Sequence, residues 1–180
     1  MIQPGRSVPV HHLFAVGECA AATHRRHRGS KVRKDDATRI GRLIACECLS
    51  VRVRRLGRVI TRIYDAALAP SGVSAAQLNL LSAIAAAGGA RAVDLARLLE
   101  VEKSTLSRDL KRMEQSGWVR GDVSAKGGRR MSLTPRGSRL LVDVHHAWEK
   151  AQAAAQDELG QETFTRLRSA LPSPLKSRRE

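Results

Sequence analysis

Residues 101–120 read VEKSTLSRDLKRMEQSGWVR, and the two faces of this stretch decide the fold. Leu106, Leu110 and Met113 recur at spacings of four and three, which marks one apolar face of an amphipathic helix. On the other face Ser104, Arg108, Lys111 and Gln115 stack at i, i+4, i+7 and i+11, mixing a hydroxyl with long cations. Ser104 and Leu106 stand about 200° apart on a helical wheel, so leucine anchors while hydroxyls face out. A charged stripe is ordinarily a solvated face. What flanks this one gives it a different meaning.

Immediately upstream, RAVDLARLLEV (91–101) makes a short helix through Leu95, Leu98 and Leu99, joined to the opening stretch by a tight turn. Two short helices so joined, the second polar and basic outside, have the outline of a helix-turn-helix. Before them SAAQLNLLSAIAAAGG (74–89) is a helix with Ser74 as N-cap and Gly88-Gly89 as its stop. Downstream, WVRGDV and RRMSLT flank SAKGG and predict a two-stranded hairpin whose tip carries Lys126, Arg129 and Arg130. TPRG (134–137) starts a further helix, with Thr134 as N-cap and Pro135 at the first helical position. That helix carries Leu141, Val144, Trp148, Ala151 and Ala155. A last short helix, QETFTRLRSAL (161–171), offers Phe164, Leu167 and Leu171.

Nearer the N-terminus, Leu49, Val53, Leu56, Ile60, Ile63 and Ala67 form a narrow 4-3-4-3-4 seam on a long helix ended by Pro70 and Gly72. The organisation expected is a basic, unstructured extension over 1–38, one domain over 42–171 and a frayed tail over 172–180. Within the domain, outer helices at about 42–68 and 135–171 enclose a lobe at about 74–134. The fold class is mainly α with a small two-stranded β wing. The seams on the outer helices are narrower than a globular core helix needs, and the economical partner for them is a second copy of the chain.

The chain has 180 residues, 42% of them hydrophobic, with net charge +15 and a pI near 11.2. A balance this basic favours an anionic partner, nucleic acid before acidic membrane. Aromatic residues are only 3%, which argues against single-strand binders that stack bases on exposed rings. Three cysteines, an odd and small number, make no disulfide framework and fit a reducing cytoplasm. No apolar run reaches the roughly 18 residues of a membrane helix. LFAVGECAAA (13–22) is interrupted by Glu18 and does not read as a signal segment.

For duplex DNA this arrangement has a definite use. A major groove about 12 Å wide admits one helix, and short side chains at its start let the backbone approach. Ser104, Thr105 and Ser107 bond base edges or phosphates, and Arg108 forks onto a guanine. Lys103, Lys111 and Arg112 meet backbone phosphates, which position without reading sequence. Arginines of the hairpin suit the neighbouring minor groove.

The stretch QLNLLSAIAAAGGARAVDLARLLEVEKSTLSRDLKRMEQSGWVR, followed by RRMSLTPRG, resembles the winged helix-turn-helix of the MarR family of bacterial transcription regulators. The resemblance runs from about residue 45 to 170 and includes YDAALAPSGVSAAQ after the first helix. It implies an all-α dimer with a small wing, in which outer helices dimerise and each protomer reads half of a near-palindromic operator. It places Ser104, Thr105, Ser107 and Arg108 at base-reading and phosphate-contacting positions, and Arg129 and Arg130 on the wing. It also implies a repressor released by a small aromatic or phenolic ligand, or by an oxidant, acting between the dimer and DNA-binding lobes. Two positions depart from the family. Glu100 stands where members commonly carry glycine, at a cost on the order of 1 kcal/mol if positive φ is required. SAKGGRRM lacks the aspartate usual near the wing tip, and Asp122 comes early to replace it.

Cys46 and Cys48 are the candidate redox residues. Two positions apart on a helix, they point about 200° from each other and form neither a local disulfide nor a shared metal site. A helix beginning near residue 45 would place them in its first turn, where the dipole favours thiolate; an inert cysteine is the plainer reading. His145 and His146 do not share a helix face, HxxxH and CxxC spacings are missing, and no metal or other cofactor is expected. No phosphate loop, GxSxG or paired-carboxylate constellation supports an enzyme. The alternatives are a sequence-neutral basic nucleic-acid binder and a redox-sensing regulator using a first-helix cysteine.

Overall fold

A computed structural model describes residues 34–123 and 128–171. The chain divides into two units, Met1–Ile60 and Thr61–Glu180. In the first, helix α1 spans Lys34–Glu47 and α2 begins at Leu49, running on to Leu68 across the boundary. The first helix therefore starts well before residue 42, and 34–38 belong to it rather than to an unstructured extension. Asp35 and Asp36 in the first turn explain the start, because carboxylates there offset the positive end of the helix dipole. Only at Cys48 is the helix interrupted. Arg52 turns back to donate to the Cys46 carbonyl from Nε (3.1 Å) and Nη2 (2.6 Å), while backbone bonds from Cys48 to Ile44 and from Arg52 to Cys48 continue on either side.

The second unit holds one core. After α2 comes a short 3-10 turn, Ala69–Ser71, then α3, Ala75–Ala86, entered through a capping box in which Ser74 and Gln77 satisfy each other's backbone donors. Strand β1 is Ala90–Arg91, α4 is Ala92–Leu98 and α5 is Lys103–Gln115. Strands β2, Val119–Val123, and β3, Arg129–Leu133, pair antiparallel with Gly121 opposite Met131. The expected two-stranded wing gains a third strand, in the order β1-β3-β2, because Ala90 pairs with Met131 and Arg91 with Arg130. Leu81, Ile84, Leu95, Met113 and Met131 are fully buried and tie α3, α4, α5 and the sheet together.

Helix α6, Pro135–Asp143, starts as TPRG predicts. The Thr134 hydroxyl donates to Gly117 O at 2.6 Å and accepts from Gly137 N at 3.0 Å. Gly137 is required by close approach, since a Cβ there would stand 1.9 Å from the Trp118 carbonyl oxygen. The single helix expected beyond this point is two, α6 and α7, His145–Leu159, with a turn at Val144; α8 is Gln161–Ala170. The α6–α7 seam is only partly open, with Trp148 exposed and Leu141 half-buried. Val144, Ala151 and Ala155 are buried within the chain, and the Tyr64 hydroxyl donates to Gln152 on α7.

Candidate nucleic-acid interface

The turn that presents α5 is built from backbone hydrogen bonds. At the end of α4, Glu100 N donates to Arg97 O (3.4 Å) and Val101 N to Ala96 O (3.1 Å), the two bonds of a Schellman cap. The residue between helix and exit must then be left-handed, and Glu100 has φ 51°, alone among the described non-glycine residues in having positive φ. The glutamate expected to be strained is strained. Val101 and Glu102 follow, and α5 starts at Lys103.

Along α5 the two faces separate as the sequence predicts. Leu106, Leu110 and Met113 are buried, while Lys103, Ser104, Thr105, Ser107, Arg108, Lys111 and Arg112 are exposed. Arg112 lies 4.0 Å from Asp109; among the described residues Lys103, Arg108 and Lys111 enter no ion pair. The first turn of α5 holds no acidic residue, and the N-cap residue, Glu102, makes no side-chain bond to its N–H groups. The surface offers donors, positive charge and a rigid apolar backing.

The wing arginines are less free than expected. Arg129 Nη2 lies 2.5 Å from Glu114 Oε1 on α5 and Nη1 lies 3.4 Å from Oε2, so its fork is held against the helix. Arg130 Nη2 donates to Gly88 O at 3.0 Å. Asp122 sits beside Arg120 at 3.5 Å and braces neither of them. Glu114 was not legible as a site residue, because only the folded hairpin brings it to Arg129. Lys126 lies outside the described residues.

Between α4, α5 and the sheet lies an open groove of about 570 Å³. Its floor is Leu106, Leu110 and Met131, and Lys103, Lys111 and the Glu114–Arg129 pair stand at its walls.

The two cysteines are placed differently. Cys46 is in the last turn of α1, whereas Cys48 stands at the interruption immediately before Leu49, with its carbonyl accepting from Arg52 N at the start of α2; both are free and half-buried. Of the pair expected in a first turn, Cys48 alone lies at a helix N-terminus. His145 and His146 reach the same carboxylate after all, with Nδ1 atoms 3.8 and 3.5 Å from Glu149 Oε2 at an exposed surface. Among the described residues no three His, Cys, Asp or Glu gather as a metal site. None of the described helices is long and apolar enough to cross a membrane.

Comparison with known proteins agrees with this geometry. A model described as MarR family matches residues 71–130. The multiple antibiotic resistance protein MarR of Salmonella typhimurium is 30% identical over 99 residues, covering 50% of this chain and 69% of that protein. The M. tuberculosis transcriptional regulator MosR superposes with a TM-score of 0.60 at 28% identity, over 70% of this chain and 96% of its own. A mutant of E. coli MarR solved in complex with operator DNA superposes with a TM-score of 0.53 at 21% identity, over 75% and 90% of the two chains. At that identity the last likeness speaks for the fold.

Proposed function

The chain belongs to the MarR family, and from that premise we propose that it is a sequence-specific regulator of transcription, a homodimeric repressor on a near-palindromic operator. The observation that carries this reading is the outer face of α5. Its hydroxyls and unpaired cations are exposed over a fully anchored apolar face, as a helix entering a major groove requires. The E. coli relative, whose fold this chain shares, was solved with operator DNA. In this reading Ser104, Thr105, Ser107 and Arg108 meet base edges and nearby phosphates. Lys103, Lys111 and Arg112 meet the backbone, and Arg129 and Arg130 approach the minor groove from the wing.

Release by a small aromatic or phenolic ligand has support in the groove beside α5. Its apolar floor and two lysines suit an amphipathic anion, and an occupant there would compete with DNA for Lys103 and Lys111. Nothing in this mechanism calls for a catalytic centre or a bound cofactor.

The test is selection of preferred duplexes from a random pool, with and without peroxide, followed by titration of wild type and Arg108→Ala. An inverted repeat should emerge, bound about a thousandfold or more above random duplex. Arg108→Ala should lose roughly 10- to 100-fold on the selected site while dimerisation survives, the worth of one bidentate base contact. Equal affinity for selected and random duplex would sink the regulator reading and leave a sequence-neutral binder, which the +15 charge alone would support. Loss of binding with peroxide, absent in Cys46→Ser, would assign an oxidant response to that cysteine.

A further inference from the structure

Helix α2 has a second face opposite its apolar seam. Arg54, Arg55 and Arg58 lie there, all exposed, within the first unit. At about 100° per residue they occupy a sector roughly 100° wide, centred nearly opposite Leu49, Val53 and Leu56. Arg54 and Arg58 are one turn apart, about 6 Å along the axis, and Arg55 lies between them. From Leu49 to Tyr64 the helix carries no acidic residue, and among the described residues none of the three arginines enters an ion pair. Their neighbour Arg52 shows the alternative, with its guanidinium folded back onto the Cys46 carbonyl.

Like charges at i, i+3 and i, i+4 work against a helix, and here nothing in the described chain offsets them. Burial of the seam against any partner leaves the arginine face pointing outward. All three cations are arginine, whose planar fork matches phosphate oxygens two at a time and stays charged at any physiological pH. A duplex presents one negative charge per about 1.7 Å of axis, so a row of guanidiniums one turn apart meets phosphates without needing a particular sequence.

We propose that Arg54, Arg55 and Arg58 form a second phosphate-binding surface that grips the duplex outside the reading helix. It supplies affinity and not discrimination. The proposal rests on the DNA-binding reading above, and its test separates the two.

Full-length wild type, Arg54→Gln/Arg55→Gln/Arg58→Gln and the corresponding triple lysine variant are titrated against the selected duplex and a random one of equal length, from 50 to 200 mM salt. Each phosphate contact contributes about 0.9 to the slope of log affinity against log salt, so the glutamine variant's slope should be shallower by about 2.7 for each engaged protomer. Over that salt range its affinity should then fall about forty-fold less than wild type's. Both duplexes should be affected alike, leaving the ratio of specific to random binding intact, and the lysine variant should keep the wild-type slope. An unchanged slope in the glutamine variant overturns the proposal, as does loss of the ratio with the slope kept. Loss of binding to vesicles rich in acidic lipid, with DNA binding untouched, overturns it in favour of a membrane surface. Should the triple variant fail to fold by circular dichroism, Arg54→Gln and Arg58→Gln singly should each lower the slope by about 0.9. If wild type shows no preferred duplex, the regulator reading fails, yet the slope on random DNA still decides the role of the arginines.

Discussion

Glu100 is where this chain resolves a local conflict against its own residue type. Three helices of the second unit end in the same two-bond cap: α3 at Gly88 (φ 58°), α4 at Glu100 (φ 51°) and α5 at Gly117 (φ 69°). Two use the residue that enters the left-handed region freely, and the third places a Cβ there. The cost of that Cβ is about 1 kcal/mol, and the exposed Glu100 side chain has no hydrogen bond or ion pair among the described residues to offset it. Glu100→Gly should therefore stabilise the protein by about 1 kcal/mol, raising the melting temperature by roughly 2–4 °C in a chain of this size. Thermal denaturation decides it, and a lowered melting temperature would show that Glu100 contributes something the backbone argument misses. The strain lies in the turn that aims α5, so the same variant should be compared with wild type on the selected duplex.

At the scale of elements, α5 and the β2–β3 hairpin are linked by the ion pair between Glu114 and Arg129. The family's aspartate is missing from the wing tip, and a carboxylate from α5 fills a bracing role from the other side. The pairing also masks charge. Glu114→Gln should free Arg129 for phosphate, tightening binding to any duplex and steepening the salt slope by about 0.9. Weaker binding to the selected duplex would instead mean that the brace, not the free charge, is what the wing needs. The outline of α5 was legible because Leu106, Leu110 and Met113 impose a 3.6-residue period that survives any tertiary context. The Glu114–Arg129 contact was not, because sequence leaves hairpin register open and the two residues meet only through it. Strand β1 was hidden for a related reason: two residues, Ala90 and Arg91, are too few to show alternation. The start of α1 was missed because the KDDATRIG segment carries no apolar stripe, and its only signal is an acidic first turn.

At the scale of the whole molecule, two surfaces await partners of opposite kinds. Net charge of +15 favours a polyanion. The apolar surface that the first unit leaves exposed favours another protein face. Ile40, Ile44, Leu49 and Val53 are 46%, 55%, 72% and 57% exposed, whereas the seam residues Ala151 and Ala155 of α7 are already buried. Of the two seams taken from the sequence as dimer contacts, the first is the more open in a single chain, since in the second Trp148 is exposed while Val144, Ala151 and Ala155 are buried. The dimer proposed for reading a two-fold operator should then depend on the α1–α2 surface more than on α7. Leu49→Glu/Val53→Glu tests this cleanly, because both positions are solvent-facing in the protomer and surface changes of this kind usually move stability by no more than about 0.5 kcal/mol. Sedimentation should show a monomer that melts near the protomer's own temperature. Its affinity for the selected duplex should fall by about a thousandfold, toward the level of random DNA, since one reading helix alone cannot span two half-sites about 34 Å apart. A variant that remains dimeric would place the interface elsewhere, and one that is monomeric yet binds with full affinity would remove two-fold symmetry from the mechanism.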